Sequence, residues 1–127
     1  MTLVIVTFTG KNRYRLKISV IIPVYNEEFL IKSTIEKIHS TLNDLSIIHE
    51  IIVVYDPSKD NTESVLKNLQ QNNSYLIVEK NKRLKGFGNS IQHGIDLARG
   101  EYVVLMMGDG CDDPGDLIHY YMKAEEG

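Results

Sequence analysis

The sequence predicts an α/β fold, a mostly parallel sheet with helices on both faces. Two observations carry that prediction. Four short apolar runs, at 18–22, 50–55, 75–78 and 102–107, read as strands, all but the shorter one at 75–78 as buried strands. Each is followed by a polar or glycine-bearing turn and then by a stretch with helical apolar spacing, so strand and helix alternate four times with short loops.

The first eight apolar and β-prone residues, Thr2 to Thr9, precede a basic segment at 11–17. A signal peptide places its charge first and runs longer. Residues 1–17 are therefore expected to form an extra edge strand or a loosely attached leader, and 18–127 the main domain. In the run at 18–22, Pro23 is expected to end the strand, because proline donates nothing to a ladder. Asn26 is a candidate helix N-cap, with Glu27 and Glu28 in a first turn that favours negative charge. Ile31, Ile35, Ile38 and Leu42 then form one apolar stripe.

The run at 50–55 ends at Tyr55, which leaves Asp56 at a strand's carboxyl end. The polar turn 56–62 leads to a helix capped by Asn61 or Thr62, with Val65, Leu66 and Leu69 inward. Asp60 reads as a turn or capping residue. After the run at 75–78, the loop 81–90 is basic and bears glycine. A helix start there, with Arg83 and Lys85 nearby, suits a diphosphate, although a solvated basic loop explains the same residues. Its helix carries Ile91, Ile95 and Ala98 on one face and ends at Gly100, a candidate C′ residue. A dinucleotide fingerprint fails here, because the third glycine falls on Ile91.

The last run stops at Gly108-Asp109-Gly110, followed by Cys111, Asp112, Asp113 and Pro114. Two glycines allow a tight turn that leaves the Asp109 carboxylate at the strand's carboxyl end. In open α/β sheets ligands sit there, and carboxylates suit a hard divalent cation that carries phosphates. An acidic turn capping the next helix is the plain alternative. That helix is expected over 113–124, with Leu117, Ile118, Tyr121 and Met122 inward.

Composition narrows the classes. The 127 residues suffice for one domain with a core, and 43% hydrophobic and 24% charged residues are ordinary for a soluble protein. A net charge of −3 gives no reason to expect nucleic acid. The single Cys111 excludes an internal disulfide and any multi-cysteine zinc site, and fits a reducing compartment. No run approaches the roughly 18 apolar residues of a membrane-spanning helix.

The blocks SVIIPVYNEE, EIIVVYDPSKDNT, KGFGNSIQHGIDLARGEYVVLM and GDGCDDP, in this order and spacing, resemble the family 2 glycosyltransferases with the GT-A fold. The nearest branch is similar to the dolichyl-phosphate and polyprenyl-phosphate mannosyl- and glucosyltransferases. The resemblance implies a Rossmann-like donor half, a GDP-mannose or UDP-sugar donor, and Mg²⁺ or Mn²⁺ on its diphosphate. It implies an inverting transfer to an acceptor, a lipid phosphate or a saccharide. By position, Pro23, Tyr25 and Glu27 match the motif lining the nucleotide pocket, Val54 an apolar contact and Asp56 a contact to the base. Asp109, beside Gly108, matches the second aspartate of the Asp-x-Asp metal motif, with Asp112 as a helper.

The sequence departs from the pattern at three places. Met107 stands at the first aspartate of Asp-x-Asp, and methionine is a poor ligand for a hard cation. Cys111 stands where glutamine is common, and Tyr55 and Pro57 replace the usual neighbours of Asp56. The family's acceptor half is expected beyond Gly127, which leaves two rival readings: a non-catalytic nucleotide-binding fragment or partner-docked module, and an unrelated α/β nucleotide binder. An exposed sheet edge beside the run at 102–107 is expected to favour association with another copy or a partner. The expected location is the cytoplasm, with the cytoplasmic face of a membrane as the family branch's alternative.

Overall fold

The computed structural model describes residues 5–8, 16–57, 59–82, 86–106 and 114–126. A five-stranded sheet has the order β1-β5-β2-β3-β4, formed by β1 (Ile5–Phe8), β5 (Tyr102–Leu105), β2 (Ile18–Val24), β3 (His49–Tyr55) and β4 (Leu76–Lys80). β2 runs parallel to both β3 and β5, β3 runs parallel to β4, and β1 pairs antiparallel with β5. The helices are α1 (Ile31–Asp44), α2 (Thr62–Asn72), α3 (Phe87–Leu97) and α4 (Pro114–Glu126). The α/β fold with helices on both faces is therefore the one the apolar runs predict.

The pleat divides the core. Ile18, Val20, Ile22 and Val24 of β2 point to one face, with Ile51, Val53 and Tyr55 of β3. There they meet the stripe Ile31, Ile35, Ile38 and Leu42 of α1, Leu66 and Leu69 of α2, and Leu117 of α4. Ile21, Ile52, Val54, Val103 and Leu105 point to the other face, which α3 covers with Ile91 and Ile95. Burying each such aliphatic side chain contributes about 1.5–3 kcal/mol. Strands buried on both faces read as continuous apolar runs for this reason.

Several expectations need correction. Pro23 does not end its strand, and β2 continues through Val24. The ladder between β2 and β5 stops at Ile21–Leu105, so on that side Pro23 faces no partner that requires its missing N–H. Asn26 is not an N-cap. It has φ of 54°, and Leu30 takes the cap position without a side-chain bond, so Glu27 and Glu28 precede α1 rather than fill its first turn. α3 ends at Leu97 with extended Ala98 as its C-cap, so Gly100 is not its C′ residue.

Close approach, not torsion, requires glycine at position 100. A Cβ there would lie 2.7 Å from the Ser19 backbone nitrogen and 2.8 Å from the Ile18 carbonyl carbon. Met122 is 60% exposed, because α4 buries Leu117 and packs Ile118 and Tyr121 but turns position 122 to the rim. The edge of β5 that was expected to be open is paired, residue for residue from Tyr102 to Leu105, with β1.

Candidate functional site

The sheet order places a topological switch between β5 and β2. The chain steps from β2 to β3 to β4 in one direction, then returns across α3 to β5 on the other side of β2. Loops leaving neighbouring strand ends diverge at such a point and open a crevice. Met106 N–H still donates to Ile21 O at 3.0 Å, one residue past the end of β5. The segment 107–113 follows directly. Gly108, Asp109 and Asp112 fall in it and lie outside the described residues, as do Met107, Cys111, Arg83 and Lys85.

Among the described candidates, Pro23, Tyr25, Glu27 and Asp56 come together at the carboxyl ends of β2 and β3. Pro23 is paired with Val54 in the sheet, and Tyr25 is 40% exposed just beyond β2. Val54 is fully buried on the α3 face and presents no surface to the crevice.

Asp56 is 6% exposed. A carboxylate buried this far needs donors on its oxygens. Oδ1 accepts from Asn81 Nδ2 at 2.9 Å, and Oδ2 accepts from the backbone N–H of Gly86 at 3.2 Å. Gly86 is the N-cap of α3, with φ of 144°, a torsion side-chain-bearing residues rarely adopt. The helix start that was expected to cradle a diphosphate thus gives this N–H to the protein's own carboxylate.

The two loops that carry these residues are joined to each other. Lys59 N–H donates to Asn26 Oδ1 at 3.0 Å, Glu27 N–H to Thr62 Oγ1 at 2.9 Å and Glu28 N–H to Asp60 Oδ2 at 3.3 Å. Asp60 Oδ1 also accepts from the N–H of Thr62 at 3.0 Å and from its hydroxyl. The Thr62 hydroxyl is the main cause that holds the Asp60 carboxyl below its ordinary range. The turn role expected of Asp60 is the one observed, and it extends across to the β2–α1 loop.

Sequence reasoning gave no role to Asn81 and did not see this cross-brace. A signal for Asn81 existed: β3 and β4 run in parallel register with Tyr55 opposite Lys80, so the next residue of each strand, Asp56 and Asn81, must be neighbours. Two open grooves, of about 550 and 380 Å³, lie at the other end of the sheet around Ser46 and Ile47 and contain none of the converging residues. Among the described residues no three His, Cys, Asp or Glu side chains are grouped to hold a metal.

The model of the glycosyl transferase family 2 matches residues 19–127. A dolichyl-phosphate beta-glucosyltransferase of Dictyostelium discoideum is 32% identical over 123 residues, covering 87% of this chain and 38% of its own. A GalNAc(5)-diNAcBac-PP-undecaprenol beta-1,3-glucosyltransferase of Campylobacter jejuni is 35% identical over 113 residues, covering 87% of this chain and 35% of its own. Among solved structures, glucosyl-3-phosphoglycerate synthase of Mycobacterium tuberculosis, in complex with Mn²⁺, UDP and phosphoglyceric acid, superposes with a TM-score of 0.58. It is 26% identical, over 72% of this chain and 32% of that one. A mannosyltransferase of Pyrobaculum calidifontis, in complex with GDP-Man and Mn²⁺, shares the fold with a TM-score of 0.63 at 24% identity, over 80% of this chain and 30% of that one. This chain spans about a third of the length of the curated relatives it matches. It belongs to glycosyltransferase family 2.

Proposed function

We propose that this chain is the donor-binding part of an inverting glycosyltransferase. It takes a sugar nucleotide, GDP-mannose or a UDP-sugar, and serves transfer to a polyprenyl or dolichyl phosphate or to a saccharide. The observation that carries the reading is the convergence of Tyr25, Glu27 and the buried Asp56 beside the crevice between β2 and β5. A carboxylate offers about four lone-pair sites and only accepts, so Asp56 suits the N–H groups of a base. Tyr25 and Pro23 supply a wall for the nucleoside.

Arg83 and Lys85 would neutralise the diphosphate. Asp109, with Asp112 as helper, would hold Mg²⁺ or Mn²⁺, whose chemistry is to offset charge on the departing nucleoside diphosphate. Oxygen donors fit such a hard cation, while Met107 leaves Asp109 with less help than two aspartates would give. A lipid-phosphate acceptor is already anionic and needs no general base. The reading places the protein in the cytoplasm, at a membrane face when the acceptor is a lipid. The second reading is nucleotide binding, or docking on a partner, without sugar transfer by these 127 residues alone.

Calorimetric titration of GDP and UDP, with and without Mn²⁺, tests the proposal. Metal-dependent binding of one nucleotide, lost in Asp109→Asn, is the expected result. A folded chain that binds neither nucleotide would overturn it. Sugar transfer by the purified chain then separates the two readings.

A further inference from the structure

We infer that Asn81 is a positioning residue for nucleotide recognition, setting the orientation of the Asp56 carboxylate; the inference rests on the proposed contact between Asp56 and the base. Both residues are fixed at the backbone. Asp56 N–H donates to Val24 O at 3.2 Å, and Asn81 N–H donates to Tyr55 O at 2.9 Å. The sheet therefore sets the separation of the two side chains, and Asn81 is itself only 8% exposed. Free rotation would let the Asp56 carboxylate present either oxygen, in any plane, to a ligand. The carboxamide donor on Oδ1 and the Gly86 N–H on Oδ2 select one plane.

The two donors also have different consequences. Gly86 N–H belongs to the start of α3 and ties the carboxylate to the loop that precedes it. Asn81 directly follows β4, is tied to Tyr55 O at the end of β3, and gives the carboxylate a rigid reference. A base N–H that approaches Asp56 meets an acceptor already turned toward it, and the desolvation of that carboxylate has been offset by fixed donors rather than by water. Without the Asn81 amide, Oδ1 takes water or swings toward another donor, and recognition of the base weakens. Contacts to the diphosphate do not pass through Asn81 and are unchanged.

The test compares ligands with and without a base. GDP, UDP and inorganic diphosphate are each titrated with Mn²⁺ into wild type, Asn81→Ala, Asn81→Ser and Asn81→Asp, with thermal melts to establish folding. Asn81→Ala is expected to weaken the preferred nucleotide about tenfold while inorganic diphosphate stays within about twofold. Asn81→Ser, which keeps a donor, is expected to recover part of the loss. Asn81→Asp, which sets a second carboxylate against Oδ1, is expected to lose the most. Nucleotide affinity unchanged in the folded Ala or Asp variant overturns the inference alone. Equal loss for nucleotide and inorganic diphosphate also overturns it, since it shows a general structural role. A wild type that binds neither nucleotide overturns the donor-half reading and the inference with it.

Discussion

Replacing Glu50 separates the stability of this domain from its binding site. Glu50 is 2% exposed at the start of β3, on the face that α3 covers. Its Oε2 accepts from Ser19 Oγ at 2.6 Å and from Arg99 N–H at 2.8 Å, and its Oε1 from Arg99 Nη2 at 3.0 Å and Nε at 3.2 Å. Ser19 Oγ in turn accepts from Gly100 N–H at 2.8 Å, so one carboxylate holds the approach to β5 against β2 and β3. Glu50→Ala leaves the Ser19 hydroxyl and the Arg99 N–H without their acceptor, at about 1–3 kcal/mol each. The Arg99 side chain is 51% exposed and returns to water, so its ion pair contributes about 0–1 kcal/mol.

The sum is a loss of roughly 2–7 kcal/mol, or about 8–25 °C in Tm for a domain of this size. Glu50→Gln is milder. Its amide NH₂ can face only donors, and the least costly choice is toward the guanidinium, which swings out, for about 1–2 kcal/mol. Urea unfolding of the two variants measures both values. Glu50 lies at the opposite end of β3 from Asp56, about 20 Å away, so nucleotide binding by the folded fraction stays at the wild-type level. A Glu50→Ala cost below about 1 kcal/mol, or one equal to that of Glu50→Gln, would refute the assignment of the buried donors.

Two further outcomes follow from packing and titration. A Cβ at Gly94 would lie 2.5 Å from Cγ2 of the fully buried Ile21, so Gly94→Ala is expected to cost about 1–3 kcal/mol by urea unfolding, and less than that in an Ile21→Ala background, where the clashing Cγ2 is gone. His49 Nδ1 donates to Ile47 O at 2.8 Å, which leaves its Nε2 to accept from His39 Nδ1 at 2.9 Å, while His39 stacks on Tyr75. Burial pushes both imidazoles below their ordinary 6.5, so the unfolded chain takes up protons first as the pH falls. Stability present above about pH 6.5 is therefore expected to fall on acidification, with a smaller slope in His39→Gln, as read by urea midpoints between pH 7.5 and 5.5.

Much of the fold was legible because its strands are buried on both faces. The runs in β2, β3 and β5 have no polar alternation to confuse them with surface strands, and the α1 stripe has an unambiguous helical spacing. The placement of Tyr25 and Asp56 just past the carboxyl ends of β2 and β3 was legible for the same reason, since each directly follows a buried apolar run. What escaped depends on partners far along the chain. Glu50 opens the run at 50–55, and nothing near it in the sequence names the donors of its buried carboxylate, since Arg99 lies 49 positions later. Gly100 reads as a helix terminator because the sequence carries no trace of the β2 backbone packed on it. Pro23 reads as a strand end until the early stop of the β5 ladder is known. Asn26 has the composition of a cap, yet its oxygen serves the next loop, 33 positions away.

The bonds from Lys59, Thr62 and Asp60 to Asn26, Glu27 and Glu28 have a consequence for the entropy of recognition. Fixing one residue's backbone costs about 1–2 kcal/mol at room temperature, and a ligand that must order a loop bears that cost out of its own contacts. Here folding has ordered the two walls together, since neither loop can move without the other. A ligand meeting Tyr25 and Asp56 then loses mainly its own freedom, and its gross contact energy is carried over more completely into affinity.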